Sequence, residues 1–301
     1  MKHSKPAHHG TRGGFTLVEL ILVIVIMAVI AASLAVVMRP ALDAYVDSRV
    51  RAEISDQADS AIRRMLRDVR QAVPNSIRIP NTQCFELVPT STGGRYRQGR
   101  DTTNDAASCD STWTSACSAP LDPSQATTDF DTLTPLSTTP SANDWVVINN
   151  QNTSDVYAGV NTAQITNVQA LNDTRGRLRI SIASKQFPYG YDGGRFMVVP
   201  NSQRAVFYVC SGADGTVDSS GNGKGVLVRV KNYGFNAAYP TSCPAAASGD
   251  IVASRVLSCT FIYDPNQGAT QQNGFIWLEL TMTRNNESAH LAVGAHVTNS
   301  P

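Results

Sequence analysis

"GGFTLVELILVIVIMAVIAASLAVVM", residues 13–38, is apolar enough to cross a bilayer, yet it carries one carboxylate, Glu19, five positions after Gly14. From Leu20 to Met38 there are 19 residues without a charge. At about 1.5 Å per residue a helix of that length spans close to the roughly 30 Å of bilayer hydrocarbon. Lys2, Lys5 and Arg12 precede it, so the positive-inside rule keeps the N-terminus in the cytoplasm and exports the chain beyond Met38. Ala31-Ala32-Ser33 imitates a secretory cleavage site, but the apolar run is long for a signal core and continues beyond it. A plain membrane anchor explains neither the glycines nor the acid. An acid near the end of a spanning helix is unfavourable, and such residues are functional candidates by default.

A cut between Gly14 and Phe15 gives the acid a purpose. It leaves a positive amine on Phe15, and Glu19, four residues on, lies on the same helical face. Glu19 can then neutralise its own amine or that of a neighbouring chain in a helical stack, since a buried charge is tolerated when paired. Gly14-Phe15-Thr16-Leu17-Val18-Glu19-Leu20 resembles the prepilin cleavage and methylation motif of type IV pilins and type II secretion pseudopilins. The resemblance implies a membrane peptidase that cuts after Gly14 and methylates the Phe15 amine. It further implies assembly through Glu19, with other pilin or pseudopilin subunits, the prepilin peptidase and an inner-membrane assembly platform as partners.

Residues 1–14 then form a disposable leader, which disposes of His3, His8 and His9 as a metal site. Its loss removes three of 25 basic residues and none of 24 acidic ones, leaving 22 against 24, a net charge of about −2. Neither this nor the +1 of the whole chain points to nucleic acid. Residues 15–38 are expected to be the membrane and filament-core helix, and 39–73 an amphipathic stem. In the stem Ile54, Ala58, Ala61, Ile62, Met65, Leu66, Val69 and Val73 recur at three- and four-residue spacing. Pro40 removes one backbone donor and should kink the helix locally, and Pro74 and Asn75 should end it. Asp47 with Arg51 and Asp59 with Arg63 have the favoured acid-first spacing. Arg63, Arg64, Arg67 and Arg70 alternate with acids and read as a solvated face.

Residues 74–301 read as a β-rich head. Alternation in "VLVRV" (226–230) and "FIWLELTMT" (275–283) marks half-buried antiparallel strands. Further strands are expected near 76–79, 84–88, 144–149, 178–183, 195–199, 205–210, 256–263 and 290–298, with a Ser/Thr-rich loop over 90–143. The fold class is therefore α+β and pilin-like: a long N-terminal helical stem packed on an antiparallel sheet with long loops.

Scattered segments sharpen the resemblance. "DVRQAVPNSIRI" (68–79), "CFELVP" (84–89), "FYVC" (207–210), "LSCTFIYD" (257–264) and "HLAVGAHVTNSP" (290–301) look like the MshO-type minor pilins of the mannose-sensitive haemagglutinin (MSHA) pilus, a family similar to the J-type pseudopilins of type II secretion. The stretch from 90 to 140 matches no pattern of that family. The resemblance implies a subunit of the inner membrane that passes into a surface or periplasmic filament. A bulky head suits a minor subunit. Retained Glu19 suits a stacked position rather than the outermost tip.

Six cysteines, Cys84, Cys109, Cys117, Cys210, Cys243 and Cys259, all lie beyond the apolar block and form no CxxC pair, which fits disulfides outside the cytosol. Six allow 15 connectivities. The spacing favours Cys109–Cys117 as a short staple, then Cys210–Cys243 and Cys84–Cys259. No nucleophile elbow, zinc or P-loop motif is present, and neither an enzyme nor a cofactor is expected. His290 and His296 read as structural. Asp214, Thr216 and Asp218 alternate as in a calcium loop but lack a closing Glu, so a turn is favoured and no metal is assigned. Trp145 and Trp277 fall in strands and read as core, whereas Trp113 in the polar loop is the aromatic to test for adhesion.

Overall fold

The computed structural model describes residues 14–110, 114–190, 193–265 and 274–297 of the 301. The fold is α+β, with a long N-terminal helix and antiparallel sheets. Helix α1 runs Leu17–Arg70 and continues through Pro40. The chain divides into two compact units, one ending at Val50 and one beginning at Arg51.

In the second unit α1 is amphipathic, as its spacing predicts. Ile54, Ala58, Ala61, Ile62, Met65 and Val69 are buried, while Arg63, Arg64, Arg67 and Arg70 stay exposed. Arg63 pairs with Asp59 at 2.5 Å. Arg51 pairs with Glu287, and Arg284 with Glu53 at 2.6 Å. The helix ends at Arg70, ahead of the expected Val73. Ala72 already bridges Pro89, and the Val73 N–H donates to the Val88 carbonyl at 2.8 Å, so the sheet captures the chain before Pro74 is reached.

Strands β1 (Arg78–Asn81) and β2 (Cys84–Leu87) come next as a hairpin. Then come β3 (Thr92–Arg95), β4 (Thr127–Thr132), β5 (Trp145–Val147), the short helix α2 (Asp155–Ala158), β6 (Thr162–Asp173), β7 (Gly176–Lys185) and β8 (Arg195–Val199). The chain closes with β9 (Val206–Ser211), β10 (Gly225–Val230), β11 (Asp250–Asp264), β12 (Gly274–Arg284) and β13 (Glu287–Val297).

Seven strands make the first sheet, in the order β1-β2-β9-β10-β11-β12-β13. One face receives α1, and Met65, Phe85, Tyr208, Phe261 and Leu278 meet there. Strands β2 and β9 are direct neighbours, Leu87 opposite Val206, although 118 positions of sequence lie between those two residues. The second sheet fills that gap, in the order β3-β8-β5-β6-β7-β4. Its two edges meet. The Arg97 N–H donates to Asp131 O and the Leu133 N–H to Arg95 O, both at 2.8 Å, around a Tyr96–Thr132 bridge. The sheet is therefore a closed six-stranded antiparallel barrel inserted between β2 and β9, which leaves it no free edge. Tyr96, Leu121, Phe130, Ile165, Ile180 and Phe196 fill it.

The stretch 90–143, expected to be a loop, contributes β3 and β4 and the buried Tyr96, Leu121 and Phe130. Its polarity hid them. In "TTDFDT" Asp131 points out of the barrel but is fully buried, paired with Arg179 at 2.7 Å. The residues around Cys117 cover that pair: Arg179 donates to the Ser115 and Cys117 carbonyls, and the Ala119 N–H donates to Asp131. In β3 the glycines permit close approach, since a Cβ on Gly93 would lie 2.8 Å from Phe196 O. Strand β6 also went unanticipated.

The disulfides are Cys109–Cys117, Cys84–Cys243 and Cys210–Cys259, with Cα atoms 5.8, 5.7 and 6.4 Å apart. The expected Cys210–Cys243 and Cys84–Cys259 are thus corrected. Strand β10 begins at Gly225, opposite Val256, and β11 runs on past it. Beyond that point β11 faces the end of β9, which brings Cys259 to Cys210. Cys84 is left to the long β10–β11 connection that holds Cys243.

Candidate functional site

The N-terminal segment builds its site from the start of α1. Thr16 stands just before the first helical residue. Its carbonyl accepts the Leu20 N–H and its hydroxyl the Glu19 N–H, each at 3.2 Å. Thr16 and Glu19 therefore hold the N-cap and third helical positions, the spacing of a capping box. An acid in the first turn also complements the partial positive charge of the helix N-terminus. Sequence reasoning assigns Glu19 only to a cleavage-made amine. The T-x-x-E spacing is the signal that could have shown the cap.

Gly14 is exposed, and a Cβ built on it meets nothing within 4 Å. Packing and backbone geometry do not require glycine there. Phe15 is 81% exposed, and the apolar residues behind it, Leu17 through Met38, are exposed as well. The apolar window of α1 reaches a mean hydropathy of 3.3 and none of it is buried. In water so much bare apolar surface marks a membrane or protein interface.

Residues 11–35 match the model of the prokaryotic N-terminal methylation motif. The chain carries a prepilin-type signal. This methylation motif supports a type IV pilin or pseudopilin, processed by prepilin peptidase and assembled with other pilin subunits. With the exposed apolar helix it supports a membrane-anchored, single-pass protein. No curated protein matches the chain, and no solved structure does.

Other candidates come out less chemical. Asp214 accepts the Thr216 N–H and hydroxyl, and Asp218 the Ser220 and Asn222 N–H groups, so each carboxylate holds its own turn. Among the described residues no three His, Cys, Asp or Glu side chains converge as metal ligands. His290 lies 2.7 Å from Glu279, and His296 meets the Phe275 ring edge-on. Trp145 is partly buried beside Phe235. Trp277 is a correction: like Trp145 it is only partly buried, on the face of β12 opposite the buried Ile276 and Leu278 rather than in the core. Trp113 lies outside the described residues.

One buried cluster went unforeseen. Arg78 on β1 and Glu86 on β2, each 1% exposed, lie 3.7 Å apart. The Arg78 guanidinium stacks 3.4 Å from the Tyr157 ring of α2, and the Tyr233 hydroxyl donates to Glu86 at 2.8 Å. This cluster ties the first sheet to α2 beside the barrel. No local spacing announces it, because its members come from four separate segments.

Proposed function

We propose that this chain is a minor pilin of an MSHA-like type IV pilus, cut between Gly14 and Phe15, methylated on the Phe15 amine and packed through Glu19. The observation that carries the reading is the register of Gly14, Phe15, Thr16 and Glu19 ahead of an entirely exposed apolar helix. Before assembly the basic leader lies in the cytoplasm and the head in the periplasm, by the charge asymmetry about the helix. Afterwards the apolar helix leaves the bilayer for the filament core, where each Glu19 meets a Phe15 amine. The chain's role is structural rather than catalytic. Glu19→Ala should leave processing intact and reduce incorporation several-fold, read by immunoblot of sheared filaments against membranes. Wild-type filament levels from that variant would refute the pairing.

The runner-up is a J-type subunit of a type II secretion filament, and a pilus operon or a secretion operon around the gene separates the two. A third reading makes the head an adhesin that binds through residues 90–140, a stretch that contributes strands to the inserted barrel.

A further inference from the structure

Residues 231–249 join β10 to β11 across the face of the first sheet that α1 does not cover. Phe207, Val209, Val228 and Val230 point to that face and are buried beneath the segment, with Cys243 and Ala246 packed on them. The crossing segment has little framework of its own; the main-chain bond it holds is local, Gly249 N–H to Ala246 O. Side chains fasten it. Arg78 Nη1 donates to the Asn236 and Ala238 carbonyls at 2.9 and 3.1 Å, and Tyr233 donates to Glu86. Tyr239 does something different. Its hydroxyl accepts the Ile79 N–H at 3.1 Å and donates to the Ile79 carbonyl at 3.4 Å. Strand β1 is an edge of the sheet, and Ile79 presents its backbone groups away from β2. Unpaired edge groups of this kind invite another strand, and the phenol occupies them.

One covalent bond holds the segment, Cys84–Cys243. Cys243 is the half-buried cysteine; the other five are buried. Thiol–disulfide exchange needs access to a sulfur, so this disulfide is the one an external thiolate reaches first. We propose that residues 231–249 form a redox-released strap, shut by Cys84–Cys243 over the β1 edge and the outer apolar face, and lifted when that bond is reduced. The chemistry balances with dithiothreitol as reductant. Its thiolate attacks Cys243 Sγ and expels the Cys84 thiolate. Its second thiol then closes a cyclic disulfide and expels the Cys243 thiolate. Two electrons pass to the protein, and both sulfurs take up protons. The side-chain anchors left behind are few: Arg78 on the Asn236 and Ala238 carbonyls, Tyr233 on Glu86, and the exposed Tyr239 on Ile79, so little besides the disulfide opposes a local opening.

Hydrogen–deuterium exchange of the full chain in detergent tests the strap. The oxidised protein is compared with protein partially reduced by dithiothreitol, with C84S/C243S and with Y239F. Reduction and the double variant should each speed exchange about tenfold or more in peptides spanning 76–81, 206–211 and 225–230. Barrel peptides spanning 162–173 and 176–185 should not change. Y239F keeps the disulfide and should speed exchange at 76–81 alone. Peptide mapping of the partially reduced protein should find Cys84 and Cys243 free and the other two bonds intact. The strap is overturned by unchanged exchange after reduction, by an equal rise in the barrel, by a Y239F variant that leaves 76–81 unaltered, or by Cys109–Cys117 or Cys210–Cys259 opening first.

Discussion

Glu86 shows what burial does to a single carboxylate. Desolvation raises its pKa from 4.5 to about 7, against the opposing hydrogen bond from Tyr233 and charge of Arg78. A folded-state pKa above the unfolded one means that the native chain binds the extra proton between those values. The stability this group contributes is complete below pH 4.5 and is lost as pH rises toward about 7, by up to roughly 3 kcal/mol. Glu86→Gln should remove that part of the slope. Melting temperatures of the full chain in detergent from pH 4.5 to 7 would show it, and parallel profiles for the two proteins would exclude it. The carboxylates Asp101, Asp122, Asp214 and Asp218 are held below their usual 3.8 by hydrogen bonds, so their titration lies outside this window. At the same scale Thr16 caps the Glu19 backbone N–H, and the pairing proposed above gives the Glu19 carboxylate a second task.

At the scale of elements, periodicity decided what was legible. The face of α1 from Ile54 to Val69 was readable because a 3.6-residue repeat records which side is buried. Strand β12 was readable by alternation, since one face packs on the core and the other does not, whereas β9 and β10 are buried on both faces. Strand β4 was not readable, because its outward Asp131 is itself buried by another segment, and β3 was not, because TGGR carries no apolar residue. Asp131 and Arg179 look like solvent-facing residues in the sequence and are a covered ion pair in the fold. Arg179→Met should leave Asp131 buried without its counter-charge, at a cost of about 3 to 5 kcal/mol, and should loosen the Cys109–Cys117 segment that Arg179 fastens. Chemical denaturation, with proteolysis between residues 97 and 121, would measure both. A variant as stable as wild type would show that the pair adds nothing.

For the whole molecule, the barrel begins and ends beside paired strands, Val88 on one side and Ala205 on the other. Its removal in one piece leaves the pairing of β2 with β9 untouched. Excising residues 90–203 behind a short Gly/Ser turn should therefore yield a folded first sheet, with Cys84–Cys243 and Cys210–Cys259 intact. Deleting only 90–140 should be far more damaging, since it strips β3, β4, Tyr96, Leu121 and Phe130 from the barrel and strands its other half. Circular dichroism and disulfide mapping of the two deletions decide it. A smaller deletion that folds better than the larger one would contradict the insertion topology. Some loss of stability is expected even for the clean excision, because Val73, Val88, Tyr157 and Ala205 share a junction cluster and Arg78 loses its stacking partner.

The sequence by itself determined the membrane helix, the methylation motif, the amphipathic stem and the antiparallel character of the C-terminal strands. Each is written in residues a few positions apart, and each needs only local geometry to be read. Tertiary structure alone decided the strand order, the closure of the barrel, the Arg78–Glu86 cluster and two of the three disulfides. Those depend on segments far apart in the chain meeting at one place. Cys210 finds Cys259 only because β11 outruns β10, and Cys84 finds Cys243 only because the β10–β11 connection crosses the outer face of the sheet. The strength of a pairing between distant strands lies in register and burial, which no window of sequence contains.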